Sequence, residues 1–246
     1  MNTFLRVLSS ERLKMSKSHL WLLALVSPAL ALLVGILTKI EPDMPAYPLL
    51  LSTMCLFHSL LFLPILTGVY SSFICRYEHV GGGWKALLAL PVSRTSVFFA
   101  KFLIVAVMLI FTQLLFLGSY VGAAVYHGVS EPFPWAMITR SIIGGWVACL
   151  PLAALQLGVS LRWVSFAAPL VVNVIFTVPN ILVVNSDKIR PYYPWAQPIQ
   201  AMMPPNTAAS GPLGMNLPFE SLMITVVGSF ILFLAAGLVY FNRQEI

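Results

Sequence analysis

Charge is what this sequence has least of. Asp, Glu, Lys and Arg make up 9% of its 246 residues, while 59% are hydrophobic. Soluble domains carry about 25% charged residues. A surface in contact with water needs more charge than this chain owns, so the shortage excludes a water-soluble globular domain. Cysteine is scarce as well. Cys55, Cys75 and Cys149 stand far apart, in or beside apolar runs. That spacing excludes a disulfide framework or a Cys-rich metal centre and leaves small buried apolar residues. Catalytic signatures are missing too. His19, His58, His79 and His127 are scattered, with no His-Glu-x-x-His and no Gly-x-Ser-x-Gly. We therefore expect no metal, no catalytic residues and no enzyme. Gly81-Gly82-Gly83-Trp84-Lys85 only faintly resembles a phosphate-binding loop; it lacks the spacing and the hydroxyl that hold phosphates. The chain is not expected to bind ATP itself.

What it has is apolar length. A membrane helix takes roughly 20 apolar residues, and six such runs fill the chain. They span about Leu20 to Leu37, Leu49 to Ile74, Phe102 to Tyr126, Ser141 to Leu161, Trp163 to Val184 and Phe219 to Phe241. The first run follows a charged segment and five more follow it, so it reads as a retained helix rather than a cleaved signal. The expected fold is an all-α membrane protein of six transmembrane helices, forming a single domain over 1–246. There is no internal repeat of the kind inverted-repeat transporters show.

The basic residues orient it. With the N-terminus inside, inner segments hold Arg6, Arg12, Lys14, Lys17, Arg76, Lys85, Arg94, Lys101, Arg162 and Arg243; outer ones hold Lys39, Arg140, Lys188 and Arg190. The excess puts both termini in the cytoplasm. It also explains the net charge of +6 without nucleic acid as a partner.

Three segments lie outside the apolar runs. Residues 1–18 form an amphipathic helix at the interface: Met1, Phe4, Leu5, Leu8 and Met15 share one face, opposite Arg6, Lys14 and Lys17. Residues 76–101 make a large inner loop broken by glycines and a proline, with Trp84 to Leu90 as a short amphipathic helix. Residues 185–218 make a large proline-rich outer loop holding Tyr192, Tyr193 and Trp195, aromatics suited to the membrane interface. Within the runs, His58, Gln113, Gln156 and Asn173 are the neutral polar groups, read as helix–helix hydrogen bonding. Gly118-x-x-x-Gly122 is read as packing inside the bundle.

The inner loop also carries a resemblance. Glu78, Gly83, Trp84-Lys85, then Leu87-Leu88-x-Leu90-Pro91-Val92-Ser93-Arg94, with Lys101 opening the next helix, resembles the type-2 ABC exporter permeases. The six-helix plan, basic N-terminal helix and outer loop before helix 6 are similar in layout. The opening Glu11-x-x-Lys14 and the outer Tyr193-Pro194-Trp195 are similar, more narrowly, to permeases of lantibiotic or bacteriocin immunity and peptide-antibiotic export. The resemblance implies a bacterial plasma-membrane permease subunit. It would work with a separate ABC ATPase, which carries ATP and Mg, and with a second permease subunit, identical or paralogous.

Under that resemblance Glu78 to Arg94 would be the coupling helix. Trp84, Leu87 and Leu88 would be its apolar knob; Glu78, Lys85 and Arg94 would pair with the ATPase or lipid phosphates, with Gly83 and Pro91 shaping the element. Phe4, Leu8, Glu11 and Lys14 would mark the interfacial helix. Tyr192, Tyr193 and Trp195 would meet an amphipathic peptide or hydrophobic drug leaving the membrane. The alternative is an ion-coupled transporter or channel, which needs charges within the helices.

Overall fold

The computed structural model describes residues 3–16, 18–40, 44–80, 83–186, 188–204 and 219–243. All regular structure among them is helical. In chain order the helices are α1 (Thr3–Ser16), α2 (Leu20–Leu37), α3 (Ala46–Phe57), a π-helical segment (His58–Phe62), α4 (Leu63–His79), α5 (Gly83–Leu88), α6 (Arg94–Tyr126), α7 (Trp135–Arg162), α8 (Ala167–Thr177), α9 (Asn180–Val183), α10 (Gln197–Met202) and α11 (Phe219–Arg243).

Among the described residues, five spans are long and apolar enough to cross a membrane: α2, the continuous run Ala46–His79, α6, α7 and α11. The segment expected to be helix 5 differs. It is shorter and broken, α8 then α9, with Val178 and Pro179 between them. Proline lacks the N–H that would continue the ladder. At 1.5 Å per residue α8 is only about 16 Å long, against a hydrocarbon core of about 30 Å.

Other boundaries move for local reasons. Helix 3 starts at Arg94, not Phe102, because Ser93 caps it: its Oγ accepts from the Ser96 N–H at 3.2 Å. Helix 2 runs on to His79. Between them the inner loop shrinks to 80–93, with α5 inside it.

The π-helical segment ends two residues before Pro64, which has no N–H to offer the Leu60 carbonyl four residues back. The Asn180 amide fills that vacancy, donating from Nδ2 to Leu60 O at 2.9 Å and to Trp195 O at 2.9 Å. Asn173 Nδ2 donates to Pro64 O at 2.7 Å, and the Trp195 indole donates to Asn173 Oδ1 at 2.8 Å. A proline-made defect in α4 is thus where α8, α9 and the outer loop dock. Gly68 makes the room: a Cβ there would stand 2.2 Å from Asn173 Nδ2. Gly68→Ala is therefore expected to lower the melting temperature in detergent, by the roughly 1–3 kcal/mol of an overpacked core. A melting temperature equal to wild type would show that α8 does not dock there.

The middle of the bundle holds a hydrogen-bonded polar network. Ser27 Oγ lies 2.6 Å from His58 Nδ1, His58 Nε2 lies 3.4 Å from Gln113 Oε1, and Gln113 Nε2 lies 3.3 Å from Met202 Sδ. The Gln113 carbonyl accepts, which puts the His58 proton on Nε2 and lets Ser27 donate to Nδ1. His58 also stacks on Phe116, ring centres 4.2 Å apart. His58, Gln113 and Asn173 thus bond between elements, as expected of polar groups in a bundle. Gln156 does not: it is buried with neither amide atom hydrogen-bonded. In the Gly-x-x-x-Gly pair, a Cβ on Gly122 would lie 3.5 Å from Leu32 of α2, while one on Gly118 would meet open space. Only half of that motif packs inside the bundle.

Candidate functional site: the basic end

One end of the bundle collects α1, α5, the end of α4, the start of α6 and the ends of α7 and α11. Helix α1 lies against α6. Its inward face is Val7, Glu11 and Met15, with Phe4 and Leu8 partly covered and Leu5 exposed. The apolar stripe read from sequence therefore rotates by about one residue to bring Glu11 inside.

Glu11 is inside because of charge. Lys101 is 0% exposed, Glu11 1% and Glu78 3%. Lys101 Nζ lies 3.0 Å from Glu11 Oε2, 2.8 Å from Glu78 Oε2 and 2.9 Å from the Ile74 carbonyl. The ammonium donates to Glu11 Oε2 and to the Ile74 carbonyl, while Glu78 is held as an ion-pair partner. Lys14, at 24% exposure, pairs with Glu11 at 2.7 Å and also with Glu78. Two acids and two bases from three helices thus balance to zero net charge. Each ion alone would cost several kcal/mol to bury, so the cluster forms only as a set.

Above it sits α5. Trp84 faces inward, 7% exposed. Its ring centre lies 5.7 Å from Lys101 Nζ and 5.3 Å from the Phe241 ring. Its indole N–H donates to His79 Nδ1 at 3.2 Å, which leaves His79 Nε2 to donate to the Ser160 carbonyl at 2.9 Å. Arg94 donates to the Phe241 carbonyl at 2.9 Å, at the end of α11, where a helix leaves carbonyls unsatisfied and favours cations. Through Trp84, α5 touches the end of α4, the start of α6 and the end of α11, and His79 carries the contact on to α7.

The expected coupling residues therefore divide. Glu78 and Trp84 point into the protein, and Arg94 ties α6 to α11. Lys85, Pro91 and Leu90 are exposed, Leu90 at 56%, and Leu87 and Gly83 are partly covered. The Leu88 side chain lies outside what is described. A Cβ on Gly83 would sit 2.9 Å from the Glu78 Cα and the Tyr77 carbonyl, so only glycine fits where the loop folds back on α4. The sequence reading missed that Glu11, Lys14, Glu78 and Lys101 form one cluster. The signal was there: both Glu and Lys of the opening motif, and both charges flanking the inner loop, sit at the ends of apolar runs.

The aromatics of the outer loop divide too. Tyr192 is 76% exposed. Trp195 is buried and stacked on Phe176 at 4.9 Å, and Tyr193 donates its hydroxyl to the Phe176 carbonyl. The following α10 is buried along its whole length, and its last carbonyl, Met202 O, accepts from Ser141 Oγ at 2.7 Å. The outer-loop residues 205–218 lie outside the described residues.

Apolar spanning helices around a few buried polar groups, with charge gathered at one end, define a multi-pass membrane protein. More particularly, the model of the ABC-2 family transporter proteins matches residues 7–180, most of the chain and, of the basic end, all but the start of α1 and the close of α11. The chain belongs to that family. It is a transport membrane subunit, not itself an enzyme, and membership implies an ABC ATPase partner. No curated protein matches the chain.

Proposed function

We propose that this chain is the permease half of an ATP-driven exporter in a bacterial plasma membrane. In this reading it forms one domain of six passes, with the basic end in the cytoplasm and α8–α9 as the fifth pass. A second permease subunit completes the pathway, and ATP and Mg are held by the partner ATPase. The cargo is an amphipathic peptide, as in lantibiotic self-immunity, or a hydrophobic drug. Tyr192, the exposed aromatic of the outer loop, suits either.

The observation that carries this is the two-sidedness of α5. Its outward side presents Lys85, and the turn that follows it exposes Leu90 and Pro91, while its inward Trp84 rests on Phe241, His79 and the charge cluster. A push from an ATPase on the outer side is transmitted to the spanning helices through packed rings and paired charges rather than absorbed by a loose loop. Such an element is biased by a ligand bound elsewhere. An ion-coupled mechanism would favour charges in mid-bundle, whereas Ser27, His58 and Gln113 there are bonded to one another.

The test is co-purification with the cognate ABC ATPase. Lys85→Glu combined with Leu90→Asp is expected to abolish co-elution while the melting temperature of the chain stays at the wild-type value. An undiminished complex would defeat the proposal.

A further inference from the structure

Away from α5, a furrow of about 320 Å³ runs between α7 and α11. That is within the roughly 300–1,000 Å³ of small-molecule sites. It exists because the two helices meet through small residues. A Cβ on Gly158 would lie 3.4 Å from the Gly237 Cα, and Ala154 and Ala236 flank that crossing. No large side chain fills the outer face of the contact. Leu155 and Phe233 form the walls.

The furrow ends in a charge. Arg162 closes α7, lines the same furrow and is exposed; among the described residues it makes no hydrogen bond or ion pair. Trp163 and Tyr240 stand beside it, amphipathic rings of the kind that settle at the headgroup level. His79 reaches the neighbouring Ser160 carbonyl and Arg94 the end of α11, so this rim lies at the basic end. The arrangement is an apolar trough on the lipid-facing side of two spanning helices, capped by one unneutralised guanidinium. An acyl chain fits the trough, and a phosphate oxygen pairs with a guanidinium through two parallel N–H bonds.

We infer that the α7–α11 furrow binds an anionic phospholipid, with an acyl chain between Gly158 and Ala236 and the headgroup phosphate on Arg162. This rests only on the orientation given above, which places the basic end in the leaflet richer in anionic lipid. A lipid tightly held there would brace the end of α11 on which Trp84 rests.

The experiment is native mass spectrometry of the full chain in detergent, titrated with phosphatidylglycerol or phosphatidylcholine of identical acyl chains. Wild type is expected to retain phosphatidylglycerol about fivefold better, corresponding to the ~1 kcal/mol one basic side chain gains at an anionic lipid surface. Arg162→Gln is expected to erase the preference. Ala236→Phe, which fills the furrow from an exposed position, is expected to reduce retention of both lipids. Arg243→Gln, at the same end but off the furrow, should leave the preference intact. Equal retention of the two lipids by wild type, or a preference that survives Arg162→Gln or falls equally with Arg243→Gln, would overturn the inference. So would a chain dimer broken by Ala236→Phe with no change in lipid retention, because the furrow's occupant would then be a second copy. The titration is blind to orientation and to the ATPase, so a negative result leaves the exporter reading standing.

Discussion

Lys101→Met is expected to destabilise the protein by about 3–5 kcal/mol, the cost of stripping one partner from a buried ion pair. The substitution removes the ammonium that hydrogen-bonds Glu11 and the Ile74 carbonyl and pairs with the Glu78 charge. It leaves two buried carboxylates sharing Lys14. The readout is thermal melting of the purified chain in detergent. The sharper result is the rescue. Glu78→Gln added to Lys101→Met returns the cluster to zero net charge, with Glu11 and Lys14 still paired at 2.7 Å. The double variant should melt above the single one. A Lys101→Met protein that melts like wild type would mean that Lys101 does not sit among those carboxylates. Transport should fall with the double variant even as stability recovers, because α1 is then tied to α4 and α6 by fewer bonds.

The second large effect is expected at Asn180. Asn180→Leu keeps a similar volume but withdraws the amide from two buried carbonyls, Leu60 and Trp195. Each unsatisfied buried acceptor costs about 1–3 kcal/mol. Position 64 is proline, so the Leu60 carbonyl receives no N–H from the residue four places on. Hydrogen–deuterium exchange should report the loss locally, as faster exchange in α9 and α10 with the basic end unchanged. Pro64→Ala in the same background supplies an N–H to Leu60 and should return part of the stability. Unchanged exchange in α9 and α10 would show that the proline-made defect is not their anchor.

These two sites differ in how far the sequence discloses them. The apolar runs were legible because lipid demands about 20 residues without charge, and composition alone reports that. Helix α2 runs from Leu20 to Leu37 as read. The inner loop was legible as a segment outside the bilayer, because its glycines and charges cannot lie in hydrocarbon. The partners of its side chains were not. Glu78 reads as a surface acid from its neighbours, Arg76 and His79; only the arrival of α1, some sixty residues earlier in the chain, and of Lys101 makes it a buried one. Trp84 reads as an outward knob on a short amphipathic helix, yet Phe241 and His79 draw it inward. The break in the expected fifth helix had a local signal in Pro179, but its docking on the defect at Pro64 did not.

By itself, then, the sequence determined the solvent: with 9% charge and 59% hydrophobic residues this chain belongs in lipid, as helices. It also determined which short stretch is too polar for the hydrocarbon core. The tertiary structure decided which charges are surface and which are structural. Burial of an ion is tolerable only when opposite charges converge from several elements, and that convergence depends on distances between segments far apart in the chain, which no spacing along it encodes.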